Sequence, residues 1–325
     1  MKLQILVPQY KETDEVIKPL LDSLAIQQNV NLKKDIGVII VNDGSDVFLS
    51  DELLKSYPFK IDYYKNEHAG VSATRQACLD KAKADYVMFC DADDMFYNAC
   101  GLWIIFQEIE NGGFDSLVSV FVEETRIPGT KQVAYINREM DSTFVHGKVH
   151  RRKYLVENDI RWNPALTIHE DSYFNIQCQR LSTKVKYCQA PFYLWKWRDD
   201  SVCRHDPKYI LKTFNNMLDS SDACVQQFVK RHKISIAKQL ATSMIFDCYY
   251  TMNKKEWLDQ ENQEYRHATE LRFKEYYLKY KEYFKTINEM EKNQIIVGIK
   301  NRMFQEGLMM ESITFDDWIK EILAL

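Results

Sequence analysis

No stretch of this 325-residue chain approaches the ~18 consecutive apolar residues that span a bilayer. The opening Met1-Lys2-Leu3-Gln4-Ile5-Leu6-Val7 is too short an apolar run for a secretion signal, and Pro8 stops it. Charge of one sign is also missing: 43 basic residues face 47 acidic ones, and a net charge of −4 exerts no global pull on nucleic acid or anionic membrane. None of the eight cysteines forms a C-x-x-C pair, and most sit inside apolar segments, as free thiols do in a reducing compartment. A disulfide framework or zinc site is therefore not expected. Proline is absent after Pro207, and there is no internal repeat or low-complexity linker. These absences leave a globular cytoplasmic protein as the expectation, too long for one average domain.

What is present begins with Tyr86-Val87-Met88-Phe89-Cys90, an apolar run that ends in Asp91, Asp93 and Asp94. Such a run reads as a strand buried on both faces of a parallel sheet. The ligand crevice of an open α/β sheet lies beyond the carboxyl ends of its strands. Three acids there repel one another unless a cation sits among them, and Mg²⁺ binds through one or two carboxylates plus substrate phosphates. The competing explanation, an acidic helix cap, requires only one of the three.

Upstream, Leu3–Val7 reads as a first strand, followed by a helix with Val16, Ile17, Leu20, Leu21 and Leu24 on one face. Asp35–Val41 reads as a second buried strand ending in Asn42-Asp43-Gly44-Ser45-Asp46, and Ile61–Tyr64 as a third. A helix opened by Gly70 and a strand at Tyr86 follow, so strand and helix alternate at the spacing of a parallel sheet covered on both faces. Further on come a hairpin of Ser116–Glu124 and Gln132–Ile136 around Pro128-Gly129, a basic run from His146 to Leu155 read as mostly a solvated face, and a helix opened by Ile168-His169-Glu170-Asp171. From about Pro207 the pattern is helical only. We place domains at 1–205 and 206–325.

Five motifs occur in order: Val7-Pro8-Gln9-Tyr10, V-N-D-G-S-D at 41–46, N-x-x-x-G-V-S-x-x-R at 66–75, D-A-D at 91–93, and Glu170-Asp171. In these, residues 1 to about 200 resemble a family 2 glycosyltransferase with the GT-A fold, a Rossmann-like α/β architecture. The resemblance implies an inverting, metal-dependent transferase of hexosyltransferase type that moves a sugar from a UDP-sugar to a hydroxyl. Asp43 would read the uracil, with Pro8 and Tyr10 shaping the base pocket and Gly70 and Arg75 touching the nucleotide. Asp91 and Asp93 would hold Mn²⁺ or Mg²⁺, with His205 completing the metal shell. Arg198 and Ser201 fall where relatives close a loop over the donor, Arg198 on the diphosphate. Asp171 would be the general base with Glu170 beside it, and Lys148 would face the acceptor. The sequence departs from the family at Thr74-Arg75-Gln76-Ala77, where relatives carry Asn after the Arg.

Two other readings compete. A nucleotidyltransferase also needs paired acids and a metal, but usually has a Gly-rich loop after its first strand, where this chain has Pro8-Gln9-Tyr10-Lys11. A non-catalytic sugar-nucleotide or glycan-binding module has no requirement for Asp91, Asp93 and Asp171 together. The acceptor expected is a glycan, polymer or other hydroxyl compound; nucleic acid is disfavoured by the acidic balance. The helical C-terminal part is expected to serve acceptor choice or homo-oligomerisation. Its Tyr276-Tyr277-Leu278-Lys279-Tyr280-Lys281 stretch is a candidate contact for the inner face of the membrane, although packing with lysines in water is the commoner use of such a helix.

Overall fold

The computed structural model describes all residues except 128, 200, 202, 203, 205, 207, 306 and 308–312. The chain forms two compact units, Met1–Ser201 and Val202–Leu325.

Among its described residues the first unit has eleven strands: β1 (Leu3–Gln9), β2 (Ile36–Asp43), β3 (Lys60–Asn66), β4 (Tyr86–Phe89), β5 (Met95–Phe96), β6 (Ser116–Ser119), β7 (Phe121–Arg126), β8 (Val133–Arg138), β9 (Lys148–Arg151), β10 (Val185–Cys188) and β11 (Tyr193–Trp195). Seven form a sheet in the order β10-β6-β9-β4-β1-β2-β3, and β5-β11-β7-β8 form a second. The large sheet is parallel except for β9, which runs antiparallel between β4 and β6. This is the α/β architecture expected from strand–helix alternation.

Successive residues of the central strands enter opposite cores. Leu3, Ile5 and Val7 of β1 pack with Ile17, Leu20, Leu21 and Leu24. Leu6 instead joins Cys78, Leu79, Phe89, Trp162 and Phe174 on the other face. With both faces covered, the strands become continuous apolar runs.

Two expectations fail here. Only the end of the basic run that starts at His146 is solvated: His146, Lys148 and His150 are buried, Lys148–Arg151 is an inner strand, and Lys153 alone of the basic residues is fully exposed. Nor does one strand run from Ser116 to Glu124. The chain breaks at Val120, sending β6 to the large sheet and β7 to the small one, where β7 forms the expected hairpin with β8. Pro128 lies outside the described residues.

At the end of β2, Asn42 accepts a hydrogen bond from Ser45 N–H at 2.7 Å, and Gly44 takes φ +72°. A Cβ at Gly44 would lie 2.4 Å from His68 N, so space as well as backbone conformation demands glycine. Gly44→Ala is expected to destabilise the first unit by about 1–3 kcal/mol. Urea unfolding followed by tryptophan fluorescence measures this, and a change below about 0.5 kcal/mol would show that the turn relaxes freely.

The second unit is helical throughout its described residues, with principal helices Tyr209–Lys230, Ile234–Met252, Gln263–Phe284, Glu289–Gln305 and Phe315–Ala324. Its core is aromatic: Phe246, Tyr249, Phe273, Phe284, Phe315 and Trp318. Tyr276 and Tyr280 of the aromatic–basic stretch are buried, bonding Ser221 and Asp222, while Lys279 pairs with Asp222. That is the packed arrangement. Among the described residues, no helix is long and apolar enough to cross a membrane.

Candidate active site

The carboxyl ends of β1, β2 and β4 deliver Pro8-Gln9-Tyr10, Asp43 and Asp91 to one edge of the large sheet. Pro8 sits in register with Val41, just inside that edge. The Tyr10 ring stacks on His68 at 4.9 Å between centroids, and both side chains reach solvent. Asp43 is buried and accepts from the backbone N–H groups of Ala69 (2.8 Å) and Gly70 (3.0 Å). Its carboxylate thus anchors the turn that starts the helix Val71–Lys81. Gly70 takes φ +86°, with open space where a Cβ would be, so a ligand can approach its backbone closely.

One and a half turns into that helix, Arg75 is not on the open side. Its side chain is 5% exposed and faces three carboxylates. Nη1 donates to Glu170 Oε1 at 2.8 Å and Asp171 Oδ1 at 2.5 Å, and Nη2 donates to Asp91 Oδ1 at 2.9 Å. Both acceptor-side acids lie in the first turn of the helix Glu170–Arg180, which is preceded by His169 in left-handed conformation at φ 60°. Asp171 also accepts from Val145 N–H at 3.2 Å.

The three aspartates after β4 have different surroundings. Burial would raise Asp91, but Arg75 and then His146 outweigh it and hold Asp91 below the ordinary carboxylate range. Asp93 is raised by burial and by Asp91, against the pull of Arg198, whose Nη1 donates to it at 2.9 Å. Asp94 is no helix cap. It is buried, accepts from Tyr193 O–H at 2.5 Å and Lys196 N–H at 2.9 Å, and is pushed well upward by burial and its two neighbours. Burial likewise pushes Asp171 up to about 8, opposed by Arg75 and assisted by Glu170 and Asp91.

Ser201 N–H donates to the Arg198 carbonyl at 3.3 Å, so these two share the loop that reaches Asp93. His205 lies outside the described residues. Lys148 does not present an ammonium to a cleft: it is 1% exposed, donates to the Phe144 carbonyl, and is lowered to about 8 by burial.

Sequence reasoning missed His146 and Tyr193. His146 Nδ1 lies 3.8 Å from Asp94 Oδ2, within an aromatic group formed with Tyr193, Trp195 and Phe144. Asp91, Asp94 and His146 each offer a ligand atom within 4.8 Å of one another, a set of two carboxylate oxygens and one imidazole nitrogen that could hold a divalent metal ion. Asp93 is outside this group. Nothing local in the sequence marks His146, since what brings it here is the antiparallel course of β9.

Residues 4–164 match the family model described as Glycosyl transferase family 2. The glycosyltransferase GlyA of Streptococcus pneumoniae is 26% identical over 228 residues, covering 62% of this chain and 32% of that one. The poly(ribitol-phosphate) beta-N-acetylglucosaminyltransferase TarS of Staphylococcus aureus is 23% identical over 206 residues, covering 60% of this chain and 35% of that one. The chain thus spans about a third of the length of these relatives. Among solved structures, S. aureus TarS 1-349 in complex with UDP superposes with a TM-score of 0.61 at 17% identity, over 85% of this chain and 80% of that one. The same protein in complex with UDP-GlcNAc gives the same score. These likenesses establish the fold.

Proposed function

This chain belongs, through residues 4–164, to glycosyl transferase family 2, and from that premise we propose that it is an inverting, metal-dependent enzyme that moves a sugar from a UDP-sugar to a hydroxyl acceptor. The observation that carries the reading is one buried guanidinium shared by Asp91, on the donor side, and Asp171, on the acceptor side. The complexes of TarS with UDP and UDP-GlcNAc support a UDP-sugar as donor.

In this reading the stacked Tyr10–His68 pair offers an aromatic wall for the uracil. Asp43 fixes the Ala69–Gly70 turn against which the nucleotide lies and keeps lone pairs for its imide N–H. Arg198, which donates to Asp93, would meet the diphosphate oxygens beside it. The ionised Asp171 carboxylate takes the proton of the acceptor hydroxyl as that oxygen bonds to the anomeric carbon. The bond from that carbon to the diphosphate oxygen breaks on the opposite face, so configuration inverts and UDP leaves with the bonding pair. Asp91 would hold Mn²⁺ or Mg²⁺ with Asp93, or with Asp94 and His146, and the chemistry supplied is Lewis-acid neutralisation of the departing diphosphate. The acceptor is a hydroxyl of a glycan or polymer, and the helical unit selects it or joins copies of the chain. We place the reaction in the cytoplasm.

The test is UDP release from UDP-GlcNAc and UDP-glucose with Mn²⁺, Mg²⁺ or EDTA, for wild type and Asp93→Ala. Turnover should require the metal and fall by about 10²-fold or more in Asp93→Ala. Calorimetry of UDP binding provides the contrary outcome. A wild type that neither binds UDP nor hydrolyses any UDP-sugar would remove the donor assignment and favour a binding module for another ligand.

A further inference from the structure

We infer that Arg75 is a positioning residue, a clamp that fixes the acceptor-side acids Glu170 and Asp171 relative to the donor-side acid Asp91. The inference deepens the transferase reading and rests on it, since the distance between base and donor matters only if a group is transferred between them.

Three segments far apart in the chain converge on this side chain. Asp91 is 16 residues from Arg75, and Glu170 and Asp171 are 95 and 96 residues away. The guanidinium is 5% exposed and lies 5.0 Å from the centre of the Trp162 ring. Its Nε is buried with no hydrogen-bond partner among the described residues. A buried donor left unpaired is costly, so the orientation of the fork is set by the carboxylates on its two Nη atoms. Only arginine suits the task, because a planar fork serves several acids at once whereas lysine offers a single point charge. The other Asp171 oxygen is taken by Val145 N–H. Segment 143–145 is in turn gripped by Asn175 Nδ2, which donates to the carbonyls of Thr143 (2.8 Å) and Phe144 (2.9 Å), and by Lys148. The base is therefore held from both sides.

The family resemblance would have Arg75 touch the nucleotide, and the two roles separate experimentally. The variant is Arg75→Lys. Its readouts are UDP binding with Mn²⁺ by calorimetry, kcat and KM for UDP-GlcNAc hydrolysis, and titration of the Asp171 carboxyl by NMR with ¹³Cγ-aspartate, assigned through Asp171→Asn. The charged groups acting on Asp171 are Arg75, Glu170, Asp91 and Lys148. Weakening only the first destabilises the carboxylate, so its titration must move to higher pH. A clamp predicts UDP affinity within about fivefold of wild type, kcat reduced by about 10²-fold and an upward shift of the Asp171 titration. UDP affinity lowered 10²-fold with the titration unmoved would make Arg75 a nucleotide contact and overturn the inference, as would wild-type values throughout. If Arg75→Lys does not fold, Asp91→Asn serves instead. Asparagine there still accepts from Arg75 but carries no charge, so the guanidinium is left to the acceptor-side acids and the Asp171 titration must move to lower pH; an unmoved titration overturns the clamp. If wild type turns over no UDP-sugar, the transferase reading fails while the titrations still decide whether the clamp exists.

Discussion

Asp171→Asn is expected to lower turnover by about 10²–10⁴-fold while leaving UDP affinity within a few-fold of wild type. Asparagine keeps the shape of the side chain and its one oxygen can still accept from Arg75, at the cost of the longer bond from Val145 N–H, while Glu170 still pairs with Arg75, so the first turn of its helix remains placed. What it cannot do is take a proton. The pH dependence supplies a second check. Burial, with Glu170 and Asp91 nearby, pushes Asp171 up to about 8 against the pull of Arg75. A base works only when deprotonated, so kcat/KM of wild type should fall about tenfold per pH unit below about 8 and level off above it, reporting the free enzyme. In Asp171→Asn the residual rate should lose that rising limb. A wild-type profile flat from pH 6 to 9, or a variant that retains the limb, would assign the base to another group. Glu170→Gln discriminates the neighbour: it removes like charge from beside Asp171, so the limb should move to lower pH with only modest loss of rate.

The donor half of this site was legible in the sequence because it depends on strand ends. Leu3–Val7, Asp35–Val41 and Tyr86–Cys90 are apolar runs buried on both faces, and each stops at polar residues that a parallel sheet carries to one edge. The competing explanation of an acidic cap, for Asp94, and the reading of the first half of the basic run as solvated fall for one shared reason. Each buried polar group is satisfied by a partner remote in sequence: Asp94 by Tyr193 (99 residues away), His150 by Ser116 (34 residues away). Composition marks such groups as exposed, and only tertiary structure supplies the bonds that make burial tolerable. The alternation within β9 was visible in retrospect. Val149 enters the core shared with Leu117, while Lys148 and His150 point to the other side of the sheet. Period-two alternation with lysine and histidine in the second set does not distinguish an inner strand from an edge.

The same dependence on remote packing governs the second large effect. Trp162→Ala is expected to destabilise the first unit by about 3–5 kcal/mol. The sequence shows Trp162-Asn163-Pro164 only as a break between elements, yet the indole is 3% exposed and sits at the centre of the core beneath the site. It stacks on Phe174 at 4.3 Å and 3°, meets Phe89 edge-on at 5.1 Å, and carries the Arg75 guanidinium 5.0 Å from its centre. Its backbone N–H donates to Gln76 Oε1 at 2.9 Å, so it joins the helix bearing Arg75, the helix bearing Asp171 and the strand leading to Asp91. Truncation opens a cavity that these three elements cannot all close at once. For a unit of about 200 residues, the corresponding fall in melting temperature is roughly 6–20 °C by calorimetry. It also removes the face on which Arg75 rests, so folded Trp162→Ala, assayed well below its transition, should lose turnover beyond what its unfolded fraction accounts for. Trp162→Phe keeps a ring against Phe174 and should recover much of both. A Trp162→Ala protein within about 1 kcal/mol of wild type would mean that the aromatic stack does not hold the acids in place, and the rigidity attributed to the clamp would have to come from the carboxylates and arginine alone.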